Sequence, residues 1–330
     1  MLNNIRSIID MKGLCQSVIK WRLTDACNYK CSYCLRYSWS NKTQDTSSVQ
    51  YDNDLAIKLI PEMARIINEM PGKVKLDLIG GEVSLLDLET ILKGIFASTS
   101  DKLFRLNITT NMFKPAEYYT NLCNLVNDNG AELGITCSWH SERCTFEEFF
   151  EKFEQIKSPT NQKGIRAEMV SRVDNQSDVG RFIDYCESKG ISYFVERDLN
   201  ADPVEKKSLL IGSSSKKKDR YKIITDEGKE LLFKTRNEII SGEFTNYSFF
   251  VEARNYYCTR DYDYTYIEKD IHMGRIGNSD CKKVESIYDF HPLKEPEICE
   301  KPGCTLCGHM SVGKIKEDLI IKELNNEQTN

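Results

Sequence analysis

The chain has 330 residues, 40% of them hydrophobic and 29% charged, enough apolar material for one large core plus a smaller appendage. Its formal net charge of −5 gives no global basic field, so nucleic acid is not an expected partner. No apolar run approaches the roughly 20 residues that cross a bilayer, and the opening Met1-Leu2-Asn3-Asn4-Ile5-Arg6 lacks the apolar core of a signal peptide. A cytoplasmic location with no membrane partner is expected, where the 13 cysteines stay reduced and serve metals better than disulfides.

In chain order, Ser17 to Leu23 alternates like a first strand. Asp54 to Met70 is a predicted amphipathic helix capped by Asn53 or Asp54, with Pro61 imposing a kink or a break into two shorter helices. Strands then follow at Val74–Ile79, Leu103–Thr110, Glu132–Ser138, Gly164–Val173 and Ile191–Glu196. Between them lie predicted helices at Leu88–Phe96, Ala116–Val126, Thr145–Ile156 and Asp178–Ser188. This alternation argues for parallel strands joined by right-handed helical crossovers. Six units are fewer than a closed barrel needs, so the expected architecture is α/β, a partial (β/α)6 TIM-like barrel with its chemistry at the strand ends. Residues 1–200 form this barrel; residues 201–245 are a connector with an exposed Ser213–Lys218 loop and a helix from Asp226 to Ser241; residues 246–330 are a small cysteine-rich domain and tail.

Immediately after the first strand comes Cys27-Asn28-Tyr29-Lys30-Cys31-Ser32-Tyr33-Cys34. Three thiols at a three-residue and then a two-residue spacing reach three corners of a 4Fe-4S cubane from one loop, leaving one iron without a protein ligand. Zinc is the alternative for such spacing, but zinc sites usually complete a tetrahedron, and no fourth cysteine or histidine lies nearby in sequence. The stretch resembles the signature of the radical S-adenosylmethionine (radical SAM) superfamily, with Tyr33 as the aromatic residue before the last cysteine. The resemblance implies that the open iron binds S-adenosylmethionine, which is reductively cleaved to methionine and a 5'-deoxyadenosyl radical that abstracts hydrogen from substrate. It also implies an electron donor such as flavodoxin or ferredoxin.

The ends of the later strands extend the likeness. Gly80-Gly81-Glu82 removes side chains where a backbone must approach closely and supplies an acid; it resembles the superfamily's glycine-rich contact to the cofactor's amino group, with Val83 where proline is usual. Thr110-Asn111 resembles a Thr-Asn-Gly turn with Met112 in place of glycine, and Ser138 resembles the strand-end serine that holds the cofactor's ribose or carboxylate. His140 and Glu142 could instead face substrate, His140 as a proton carrier or as a structural hydrogen-bonding group. Lys20, Arg22, Glu168, Arg172, Glu196 and Arg197 lie on strands, so some should line the barrel interior.

Cys258, Cys281, Cys299, Cys304 and Cys307 form the second constellation, with Tyr264–Ile267 and Gly274–Gly277 reading as a small hairpin between the first two. It resembles the twitch/SPASM-like appendages of radical SAM enzymes, which hold an auxiliary 4Fe-4S cluster. Cys258, Cys281, Cys304 and Cys307 are the first choice of ligands and Cys299 the ambiguous fifth; a four-cysteine zinc site is the alternative. The scattered Cys15, Cys123, Cys137, Cys144 and Cys186 read as small buried apolar residues.

The expected function is dehydrogenation or a related oxidation of a small or carrier-bound metabolite, with the auxiliary cluster as electron acceptor. Peptide maturases of the superfamily often carry an additional N-terminal recognition domain, and with only about 16 residues ahead of the first strand the expectation tilts away from, without excluding, a peptide maturase making a crosslink, thioether or epimer. A noncatalytic iron-sulfur or zinc scaffold is the third reading, against which the Gly80–Glu82 stretch speaks.

Overall fold

The computed structural model describes residues 5–10, 17–34, 46–99, 101–159, 164–198, 201–202, 208–214, 221–225, 230–233, 256–258, 264–273, 284–292, 294, 297–299 and 314–316. They divide into two compact units, one made of Arg22–Pro61 and Leu76–Lys216, the other of Met1–Trp21, Glu62–Lys75 and Lys217–Asn330. None of their helices is long and apolar enough to cross a membrane.

The chain enters through strand β1 (Ile5–Asp10) and then β2 (Ser17–Thr24), whose even positions are half-exposed and odd positions buried up to Leu23. Helices α1 (Val49–Lys58) and α2 (Ile60–Glu69) are separated at Leu59. Pro61 sits in the first turn of α2, where its missing N–H costs nothing, so the expected long helix does divide in two. Its start is earlier than the sequence indicates. The expected caps Asn53 and Asp54 lie inside α1, where Asn53 accepts from the Asp87 amide at 2.8 Å and Asp54 from Gln50 Nε2 at 2.8 Å; the neighbouring Asp52 is buried and accepts from Thr24 Oγ1 at 2.6 Å.

After α2 come β3 (Val74–Gly80), α3 (Leu88–Ser98), β4 (Leu103–Thr110), α4 (Ala116–Asp128), β5 (Glu132–Trp139), α5 (Phe146–Gln155), β6 (Ile165–Ser171), α6 (Gln176–Lys189) and β7 (Ser192–Arg197). The sheet runs β2-β3-β4-β5-β6-β7 in sequential order, the β4 to β7 ladders are parallel, and the short β8 (Gly212–Ser213) closes antiparallel on β7. This is the α/β order that the alternation of elements demands. Ser213, expected in an exposed loop, belongs to β8.

The helix-facing side of β5 shows how the layers hold. Trp139 meets Phe146, Phe149 and Phe182 at ring centroid distances of 5.4, 6.4 and 6.0 Å, and all four rings are buried. Each such burial is worth roughly 1.5–3 kcal/mol. α5 is started by a capping box between Thr145 and Glu148, and α6 ends at Gly190 with φ of 65°, a left-handed stop that glycine adopts without strain. Period-two geometry sends the alternate residues to the opposite face. There Thr136 and Ser138 of β5 stand in register with Arg166 and Glu168 of β6, and Glu168 with Phe194 of β7.

The second unit contains three antiparallel groups. β1 pairs with β9 (Tyr221–Thr225), which pairs with β10 (Glu230–Phe233). Two expectations are corrected here. A strand does precede Ser17, and Glu230–Phe233 is a strand where a helix from Asp226 to Ser241 was predicted; the remainder of that helix lies outside the described residues. The leucine-rich run has good helical propensity, but pairing with the Ile-rich β9 overrides a local preference of at most about 1 kcal/mol per residue.

The second group is β12 (Tyr264–Glu268), β13 (Ile271–Met273) and β14 (Val284–Ser286); Lys269, with φ of 56°, turns β12 into β13, so the second arm precedes the expected Gly274–Gly277, which lies outside the described residues. Trp21 Nε1 donates to the Lys269 carbonyl at 3.0 Å, and Arg65 donates to the Ile287 and Phe290 carbonyls at 3.0 and 2.9 Å. In the third group β11 (Tyr256–Cys258) lies between β15 (Glu297–Cys299) and β16 (Lys314–Lys316), with Tyr256 opposite Cys299 and Cys258 opposite Glu297. Cys281, Cys304 and Cys307 lie outside the described residues.

Candidate active site

The three-cysteine loop leaves the C-terminal end of β2, and the adjoining strand end is built to receive it. The Gly81 amide donates to the Thr24 carbonyl at 2.9 Å and the Glu82 amide to the Ala26 carbonyl at 2.8 Å. A Cβ on Gly81 would lie 2.2 Å from the Ala26 oxygen, and one on Gly80 would lie 2.5 Å from the Thr24 oxygen. What the paired glycines approach is therefore the chain's own backbone at the root of the cysteine loop. Thr24 is pinned in turn, accepting the Ala26 amide at 2.9 Å while donating to Asp52.

Glu82 is 1% exposed, and its carboxylate accepts from the Asn111 amide at 2.6 Å, the Ser84 amide at 3.0 Å, the Ser84 hydroxyl at 2.6 Å and the Thr110 hydroxyl at 2.8 Å. Burial pushes its pKa up, and these four donors oppose the shift. The acid thus ties β3 to the end of β4. Asn111 then reaches the loop, donating from Nδ2 to Asn28 Oδ1 at 2.8 Å and lying 3.9 Å from Cys27 Sγ. Met112 takes φ of 59°, the left-handed conformation that glycine would supply without strain.

On the other side of the loop stands the end of β5. His140 Nδ1 lies 3.4 Å from Cys31 Sγ and 2.7 Å from the Tyr33 hydroxyl, with the Tyr29 ring edge-on at 5.7 Å. Burial pushes the imidazole pKa down to about 4, so the ring is neutral. Glu142 accepts from the Ser32 amide at 3.0 Å and hydroxyl at 2.5 Å and is paired with Arg172, whose guanidinium covers the Tyr33 ring at 5.0 Å. His140 and Glu142, which the sequence offered to substrate, both turn to the cysteine loop.

Burial pushes the Cys31 thiol up to about 11, against a hydrogen bond from the Tyr33 hydroxyl. Cys31 is buried, Cys27 and Cys34 are half-buried, and none of the three is in a disulfide. Among the described residues no three His, Cys, Asp or Glu side chains close on one point as they would around a single metal ion. Three thiolate-forming residues on one short loop, with the Tyr29 amide 3.4 Å from the Cys27 sulfur, are the donor chemistry of an iron-sulfur cluster with one open iron, and the residues present fit that group.

Ser138 sits apart from this loop network, on the polar sheet face beside Glu168. Arg166 Nε donates to Thr136 Oγ1 at 2.9 Å, and its Nη2 is 3.7 Å from Glu168 Oε2. Ser32, Asp52 and Tyr119, the last hydrogen-bonded to Thr110 at 3.0 Å, went unnoticed in the sequence because nothing in their local pattern marks them. Cys123, Cys137 and Cys186 are buried, as small apolar residues would be.

Fold and site together define an α/β protein whose parallel strands carry a three-thiol loop and its polar support at their C-terminal ends. Over 127 residues the chain is 29% identical to an S-adenosylmethionine-dependent nucleotide dehydratase of Psychrobacter lutiphocae, covering 36% of this chain and 39% of that protein. The chain spans well under half of the relative's length. Among solved structures, two of anSMEcpe are similar over 57% of this chain: the native form with bound AdoMet and Cp18Cys peptide (16% identity, TM-score 0.39, 51% of that chain) and a hexahistidine-tagged form with bound AdoMet (15%, 0.40, 52%). No protein-family model matches the chain.

Proposed function

We propose that the chain is a radical SAM enzyme with a partial barrel, Cys27, Cys31 and Cys34 holding the cofactor-binding 4Fe-4S cluster and an auxiliary cluster held in the C-terminal segment. The observation that carries this reading is the joining of the three-thiol loop to the ends of β3, β4 and β5 through Gly81, Glu82, Asn111 and His140. When bound, the cluster supplies the electron that cleaves S-adenosylmethionine to a 5'-deoxyadenosyl radical.

The chain's own residues hold and orient. Glu82 fixes the Asn111 backbone and so the rim beside Cys27. Ser138 is the candidate hydroxyl for the cofactor's ribose or carboxylate. Arg166, Glu168 and Thr136 make a polar wall suited to a small hydroxylated or carrier-bound substrate. The activity named for the Psychrobacter relative makes nucleotides the first class to assay, and dehydrogenation is the proposed outcome.

The test is anaerobic reconstitution followed by reductant and S-adenosylmethionine. The expected result is 5'-deoxyadenosine from the parent and none from Cys31→Ala; equal formation in both defeats the assignment. Deuterated nucleotides, cyclitols and peptides, scored by label entering 5'-deoxyadenosine, then separate the metabolite reading from a peptide maturase.

A further inference from the structure

We propose that the Tyr33 hydroxyl and the His140 imidazole form a hydrogen-bond pair on the Cys31 sulfur that sets the reduction potential of the cluster, making His140 a positioning residue for the metal centre. This rests on the function proposed above and deepens it. Cys31 is the most buried of the three thiols, and two donor-capable groups meet at it: His140 Nδ1 is 3.4 Å from Sγ, the Tyr33 hydroxyl hydrogen-bonds the same sulfur, and the two groups are 2.7 Å from each other. The imidazole is held by rings on two sides, edge-on to Tyr29 at 5.7 Å and stacked on Tyr33 at 6.0 Å with 18° between planes. Tyr33 is held in turn by Arg172, and Arg172 by Glu142, which also grips Ser32 inside the loop. Tyr33, Arg172, Glu142 and Ser32 thus form a linked series beside the imidazole.

A cluster-ligating cysteine is a thiolate, the strongest acceptor of the three groups. The Tyr33 O–H and the His140 Nδ1–H therefore reach it directly or in series. Donors on a ligand sulfur stabilise the added electron more than they stabilise the oxidised cluster, so they raise the potential. Surface water does the same at an exposed sulfur; at a buried one the protein must supply the donors.

The experiment uses full-length protein reconstituted anaerobically with iron and sulfide. Potentials are read by EPR-monitored titration of the signal that changes when S-adenosylmethionine is added, and iron retention by challenge with a chelator. Tyr33→Phe removes only the hydroxyl, and His140→Gln keeps an N–H donor that His140→Ala lacks. Expected are negative shifts in Tyr33→Phe and His140→Ala, a smaller shift in His140→Gln, and iron loss about 10-fold faster in the first two, with unchanged far-UV circular dichroism. Unshifted potentials, or equal shifts in the two His140 variants, overturn the proposal, as does a Tyr33→Phe protein that folds but takes up no cluster. A parent that loads no such cluster removes the proposed function, and this inference with it.

Discussion

Glu168 shows how strongly one position can depend on its surroundings. Burial pushes its carboxyl up to about 7, with Arg166 opposing and Glu196 adding to the shift, and its side chain is 17% exposed. A raised folded pKa means that the protonated form is favoured in the folded state. Its stabilising effect is complete below the ordinary carboxylate value and is lost as pH rises through about 7. Glu168→Gln should therefore match the parent near pH 4 and exceed it at pH 8 by up to about 3 kcal/mol. Urea denaturation of both proteins across that range checks this; a difference independent of pH would refute it. Met112 poses an opposite balance, with φ of 59° but a side chain only 2% exposed. Met112→Gly relieves roughly 1 kcal/mol of backbone strain and gives up roughly 2–5 kcal/mol of packing. Net destabilisation is the expected result in the same denaturation assay.

At the scale of elements, the end of β3 is the tightest junction near the site. The Gly81 position leaves 2.2 Å between a hypothetical Cβ and the Ala26 carbonyl oxygen, and both partners are backbone, so neither can swing aside. Gly81→Ala should destabilise the protein by about 1–3 kcal/mol or more and reduce cluster uptake, measured as iron bound per chain after reconstitution. α5 offers a contrast, since its capping box acts only on its own first turn. Thr145→Ala is expected to cost about 1 kcal/mol by denaturant titration and to leave iron uptake unchanged.

For the whole molecule, the cysteines decide whether one or two clusters are present. If Cys258 belongs to a second cluster, Cys258→Ala should lose roughly half of the iron and keep 5'-deoxyadenosine formation. Loss of zinc with no loss of iron would identify a structural metal there instead. Cys299, which sequence spacing left as the ambiguous fifth thiol, pairs through its backbone with Tyr256, a pairing visible only once the strands are brought together.

The sequence by itself determined the order of strands and helices through Trp21–Glu196, because alternation at periods of two and 3.6 is written locally. It also determined the three-thiol loop and the burial of Cys123, Cys137 and Cys186, though not of the half-buried Cys144. Pro61 announced the break between α1 and α2 for the same reason. Tertiary structure alone decided that Glu230–Phe233 is a strand, that the glycines face Thr24 and Ala26, that Glu82 is a buried tie, and that His140 and Glu142 turn to the cysteine loop. The strand at Glu230–Phe233 depends on β9, which is itself held by β1 at the far end of the chain, Thr225 opposite Ile5. Asn111 lies 29 residues from Glu82, Cys31 lies 109 from His140, and Ser32 lies 110 from Glu142. The energy of a contact across such a distance leaves no trace in the spacing of neighbours.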